Sequence, residues 1–137
     1  MRDFIPFKGR KLVQGAPHKV YWNLHKDVWS LVAQDGPDKG RVVGHVPQLG
    51  LHDVKFVVSQ AGRARVIREE KKNVHAFAVG IPVSPWQIHS LAAGPLRQLS
   101  YNPYKAGHFV VRDTGAKIDA AGLVVFNDAG KAFADAE

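Results

Sequence analysis

The chain has 137 residues, 45% of them apolar, with a formal net charge of +7 and no cysteine. That length suits one compact domain with its own core. The longest apolar runs are only a few residues, far short of the roughly 20 that cross a bilayer as a helix. The lack of cysteine rules out a disulfide framework and thiolate metal sites. With no signal-peptide pattern in Met1-Arg2-Asp3-Phe4-Ile5-Pro6-Phe7-Lys8, the sequence predicts a soluble, cytoplasmic protein with no membrane partner.

In chain order, Val20, Trp22 and Leu24 alternate with Lys19, Tyr21, Asn23 and His25, the two-residue period of a half-buried strand. Val28 to Ala33 follows as a second strand. The cluster Asp35-Gly36-Pro37-Asp38-Lys39-Gly40 then turns the chain into a third, Arg41 to Val46, completing a meander. Val54 to Ser59 is predicted as the fourth strand and Val74 to Val79 as the fifth.

Between them lies Arg63-Ala64-Arg65-Val66-Ile67-Arg68-Glu69-Glu70-Lys71-Lys72, with five cations and two anions. Its conformation is ambiguous. As a helix it aligns Arg65, Arg68 and Lys72 on one stripe; as a strand it alternates Arg63 and Arg65 with Ala64 and Val66. Helix propensity favours the first and the surrounding β texture the second.

From Ile81 to Pro103 four prolines interrupt any long element. Ser84-Pro85 predicts the start of a short helix over Trp86 to Ala93, ended by Gly94-Pro95. His108 to Arg112 reads as a strand before a turn at Asp113-Thr114-Gly115. Leu123 to Phe126, the turn Asn127-Asp128-Ala129-Gly130, and Lys131 to Ala134 read as a hairpin. The expected fold is α+β or mainly β: a bent antiparallel sheet or partly open barrel of about eight short strands, with one or two short helices.

Charge is uneven along this single predicted domain. Residues 1–112 hold 17 Lys and Arg against seven Asp and Glu, a basic body. Residues 113–137 hold two Lys against four Asp and one Glu, an acidic C-terminal hairpin. Such an excess attracts polyanions, so RNA, DNA or a nucleoprotein complex is the expected partner. Solubility alone is the competing explanation for the charge.

Binding RNA or single-stranded nucleic acid requires cations for phosphates and aromatic rings for bases. The sequence offers Arg63, Arg65, Arg68, Lys71 and Lys72 in the basic run, and Lys19 and Tyr21 on one strand face. Tyr104 and Lys105 add a third patch. No known nucleic-acid-binding module is matched. The enzymatic alternative is a metal-independent endoribonuclease, which needs a base, an acid and cations at the phosphate. His75 beside Arg65, Arg68 and Lys72 is the candidate base, with His25 next and Tyr101 or His108 as acid. A histidine packed among apolar neighbours is the plainer account of His75.

Seven histidines raise the question of a metal, but no spacing matches a zinc motif, and His52-Asp53 would need a third ligand from elsewhere. Neither a metal nor another cofactor is expected. Serine nucleophile elbows and phosphate loops are absent from the sequence. Glu69 and Glu70, as neighbours on a strand, would point apart and cannot pair as glycosidase carboxyls.

The segments Val20-Tyr21-Trp22-Asn23-Leu24-His25-Lys26, Lys71-Lys72-Asn73-Val74-His75-Ala76-Phe77 and Tyr101-Asn102-Pro103-Tyr104 resemble uncharacterised small basic proteins of bacteriophages and bacterial mobile elements. The resemblance spans most of the chain and brings no activity or site residues. It implies a phage context, adding a third reading: a phage structural or anti-defence protein bound to an acidic or nucleoprotein partner.

Overall fold

The computed structural model describes residues 1–136. Glu137, counted above in the acidic tail, lies outside them. The elements are β1 (Ile5–Pro6), β2 (His18–Asn23), β3 (Val28–Ala33), β4 (Val42–Val46), β5 (Leu49–Val58), α1 (Gln60–Glu69), β6 (Ala76–Val83), α2 (Pro85–Leu91), β7 (Arg97–Ser100), β8 (Phe109–Val111), β9 (Lys117–Ile118), β10 (Ala120–Phe126) and β11 (Ala132–Ala134). The strands form one antiparallel sheet in the order β1-β4-β3-β2-β6-β5-β10-β11-β7-β8-β9. β1 and β9 do not pair with each other, so the sheet is open.

The fold of the described residues is therefore the expected mainly antiparallel sheet with two short helices, but with eleven strands rather than about eight. The three additional strands are β1, β7 and β9. β1 and β9 have two residues each, too few for a period to register, and β7 buries only Leu99. β5 also begins five residues earlier than the alternation from Val54 implied. Asp53 adopts φ 53° and the register with β6 shifts between His52 and Lys55. This bulge re-phases the strand, so Leu49 and Leu51 before it and Val54 and Phe56 after it are all buried.

The sheet curls far enough for distant strands to touch. Trp29 on β3 and Phe126 on β10 meet edge to face with ring centres 4.7 Å apart, and Trp29 Nε1 donates to Asn127 O at 2.8 Å. Phe56 on β5 meets Phe109 on β8 at 5.2 Å. Inside the curl lies the core, with Val20, Leu31, Leu49, Leu51 and Val124 at or near zero exposure.

The ambiguous basic run resolves as helix only through Glu69, which leaves Lys71 and Lys72 beyond its end and off the Arg65–Arg68 stripe. Ser59 caps α1 by accepting from Gly62 N at 3.1 Å, and Glu70 closes it in the left-handed conformation with its N–H on Val66 O. Val66 alone is buried, with Gly62 and Arg63 half-buried, so most of the helix faces solvent. β6 starts at Ala76 and runs through Pro82 to Val83, later and longer than expected. Beyond Gly80 it pairs only with β5, and a proline is tolerated where a strand has one neighbour.

α2 follows the predicted Ser84-Pro85 start but ends at Leu91, with Ala92 N donating to Ile88 O at 3.0 Å; the Ser84 side chain makes no capping bond. The helix seats Ile88, fully buried, on Gly50 of β5. A Cβ at Gly50 would overlap Ile88 Cγ1 and approach Ser84 O at 3.0 Å. Gly50→Ala is expected to lower stability by about 1–3 kcal/mol through overpacking, read as a shift in the urea midpoint with an unchanged slope.

The C-terminal hairpin pairs Val124 with Ala134, Val125 with Phe133 and Phe126 with Ala132. It is not an appendage, because β10 also pairs along β5 in the middle of the sheet. Two acids of the 113–137 segment are engaged: Asp113 meets Arg97 at 2.6 Å, and Asp135 accepts from Leu123 N at 2.9 Å.

Candidate nucleic-acid interface

β2 and β6 pair at only three positions, His18 with Gly80, Lys19 with Val79 and Val20 with Ala78. Both strands continue: β2 keeps its ladder with β3 to Asn23, and β6 keeps its ladder with β5 back to Ala76. They therefore splay, and a cleft of about 460 Å³ opens between them. Its aromatic lining includes Trp22, Tyr101 and Phe109, all half-buried. Gln98 and Ser100 supply neutral polar groups, and exposed Arg112 and Lys131 supply charge. Among the described residues, none that lines the cleft is acidic.

One end of the cleft is tied to α1. Arg63 Nε donates to Pro103 O at 2.8 Å, and Gln60 Nε2 donates to Gly107 O at 3.0 Å, fixing the 101–107 loop against the helix. Tyr101 lies on that loop, stacked on Phe109 with ring centres 5.3 Å apart. Its hydroxyl bonds His75 Nε2 at 2.6 Å, and His75 Nδ1 lies 2.8 Å from Asn73 O. A carbonyl only accepts, so Nδ1 donates to Asn73 O, and in that tautomer Nε2 accepts from the tyrosine. Burial raises the Tyr101 pKa and the Arg63 charge opposes that rise. Tyr101→Phe strands His75 Nε2 in a residue only 8% exposed. It is expected to cost about 1–3 kcal/mol in denaturant unfolding.

The sequence-predicted residues thus separate. His75 and Tyr101 come together, with Arg63 beside the tyrosine. His25 is exposed on the β2–β3 turn, its backbone N held by Asn23 Oδ1 at 3.0 Å, and does not line the cleft. His108 lines a neighbouring depression with Gln60 and Gly107. Arg65 pairs with Glu69 at 2.6 Å. Arg68, Lys71 and Lys72 are exposed, as are Tyr104 and Lys105. Lys19 Nζ sits 4.0 Å from the Phe77 ring centre. Lys19 and Tyr21 alternate with Val20 and Trp22 and so turn their side chains to the opposite face of β2, although Tyr21 borders the opening. His52 Nδ1 contacts Asp53 Oδ2 at 2.9 Å, and no third metal-binding side chain joins them among the described residues.

Sequence reasoning missed Trp22, Phe109, Gln98, Arg112 and Lys131, which become one site only through the curl. It also missed a cation cluster at the N-terminal edge, where Lys8, Arg10 and Lys26 lie 5.3, 5.7 and 5.3 Å from the Phe7 ring centre. Phe7 packs edge-on against His45, whose Nδ1 bonds Ser30 Oγ at 2.9 Å and whose Nε2 is buried without a partner. Burial, reinforced by the Lys26 charge, lowers the His45 pKa from the ordinary 6.5. The unfolded chain therefore takes up this proton first as pH falls. The contribution of neutral His45 is complete above pH 6.5 and declines from there toward its lower folded pKa. His45→Gln should flatten that part of the stability profile, checked by urea unfolding of both proteins at about pH 7.5 and 5.5.

These features define a class: an open, curled antiparallel-sheet protein with an aromatic cleft flanked by a cationic helix. A family model described as Mycobacterium phage L5 gene 82 protein matches residues 11–134, and the chain belongs to that family. It is 36% identical over 117 residues to the Gene 82 protein of Mycobacterium phage L5, covering 81% of this chain and 90% of that protein. The phage context implied by the sequence is thereby established. No solved structure matches the chain.

Proposed function

We propose that the protein binds single-stranded nucleic acid, with bases at the cleft and phosphates along the cations of α1 and the 101–107 loop. The observation that carries this reading is the docking of a cationic helix beside an aromatic cleft that no described acid lines. Stacking surfaces next to a positive track are what single-strand binders use, because every base has a π-face and every nucleotide a charge. Family membership supports the phage setting and is neutral about the ligand.

The experiment is a titration of labelled single strands of about 15 nucleotides, RNA and DNA, across roughly 50–200 mM salt. The expected result is a log-linear fall in affinity with salt and weaker binding to duplex than to single strand. Affinity that ignores salt, or no binding at low salt, would reject the proposal.

The endoribonuclease alternative draws on the 2.6 Å contact between His75 and Tyr101. Against it, His75 has both ring nitrogens engaged, which makes it a prop for Tyr101 rather than a base free to take a substrate proton. Cleavage of RNA in excess EDTA that disappears in His75→Ala would favour catalysis.

A further inference from the structure

We propose that the opening between β2 and β6 is a pocket for one unstacked nucleobase, whose edge bonds main-chain groups the two strands leave unpaired. The inference rests on the single-strand reading above and deepens it.

Tyr21, Trp22 and Asn23 pair with β3 along one edge and have no strand on the other. Ala76 and Phe77 pair with β5 along one edge and likewise have none on the other. Tyr21, Trp22, Ala76 and Phe77 all line the cleft. Successive residues of an antiparallel strand turn their main-chain groups to alternate sides, and Ser59 N donates to His75 O, so Phe77 faces β5 while Ala76, like Trp22 across from it, turns its N–H and C=O to the opening, where they require a partner. An extended peptide could add to a sheet edge, but it needs a longer run than two or three residues. A base edge presents only two or three donors and acceptors, which is the length of edge available.

The remaining features agree with a nucleotide. A cleft of about 460 Å³ falls within the roughly 300–1,000 Å³ of small-ligand sites and is too small for a duplex. Trp22 is packed closely, since a Cβ on Gly130 would come within 2.9 Å of its indole. Tyr101 is likewise held by Phe109 and His75. Rigid rings stack a base at low entropic cost. Lys131 follows Gly130, and it and Arg112 bring charge for the phosphate of the inserted nucleotide.

The test compares an oligonucleotide with one of equal length and charge whose sugars lack bases, using the Trp86→Phe protein so that an exposed tryptophan outside the cleft does not report. Base-containing strands should bind roughly 5- to 150-fold more tightly, the equivalent of one to three kcal/mol of stacking, and change the tryptophan emission. Arg112→Glu, at an exposed position that leaves the fold intact, should weaken binding of uridine monophosphate. Equal affinity for both strands with no emission change would overturn the pocket while leaving single-strand binding in place. Failure of both strands to bind would overturn the pocket together with the reading beneath it. Emission changes with an extended peptide but with no mononucleotide would assign the opening to strand addition and equally overturn the pocket.

Discussion

Trp29→Ala is expected to lower the unfolding free energy by about 3–5 kcal/mol, the range for removing a buried large aromatic. The residue is 6% exposed and its ring meets Trp22 at 5.0 Å and Phe126 at 4.7 Å, both edge to face. Those contacts join β3 to β10 across three intervening strands, so truncation removes a contact between distant parts of the curl as well as buried area. It also leaves Asn127 O without the indole N–H that reaches it at 2.8 Å. Trp29→Phe separates the two effects. It keeps a ring near Phe126 and Trp22 but loses the hydrogen bond and part of the volume, with an expected cost of about 1–3 kcal/mol. Urea unfolding of both variants checks this, and a loss below about 1 kcal/mol for Trp29→Ala would mean the curl is held elsewhere.

Replacing Arg68 and Lys72 together by Glu is expected to weaken single-strand binding at least about tenfold near 0.1 M salt. Both side chains are exposed and neither makes an ion pair among the described residues, unlike Arg65 with Glu69. Stability should therefore stay within about 0.5 kcal/mol of the parent. If each cation neutralises one phosphate, the salt dependence also shallows, by roughly 0.7 per contact on a single strand. Arg63→Ala is a poorer test of charge alone, because that guanidinium also holds the 101–107 loop through Pro103 O. The paired measurement is a salt titration of binding and a denaturant curve for each protein. A binding loss with no change in salt slope would point to lost structure rather than lost phosphate contacts.

Much of the fold was legible where physics is local. The β2–β3–β4 meander follows from the alternation around Val20 and Trp22 and from the turn at Asp35 to Gly40. α2 follows from Ser84-Pro85, and the last hairpin from Asn127 to Gly130, where Asn127 Oδ1 accepts from Ala129 N and Lys131 N at 3.0 and 2.9 Å. Propensity also pointed to a helix for the basic run, and α1 supplies it as far as Glu69. The bulge at Asp53 was not legible, because the residues on either side of it read as different phases.

The candidate site was only half visible. Tyr101 and His75 were each singled out, but their 2.6 Å contact depends on β7 and β6 meeting around the curl. Trp22 read as a core residue of an unbroken strand. It lines a cleft because the β2–β6 ladder stops at Val20, a fact of pairing between segments nearly 60 residues apart that no local pattern encodes. Arg112 and Lys131, one in the basic body and one in the acidic segment, offered no sequence signal that they share a wall.

Photocrosslinking tests the central claim most directly, using a single strand that carries one photoreactive pyrimidine and mass spectrometry to locate the attached residues. Attachment is expected at Trp22, Tyr101 or Phe109, competed by unlabelled single strand and lost at high salt. Attachment confined to the far side of the sheet, such as α2 and its exposed Trp86, with none at the cleft or α1, would contradict it.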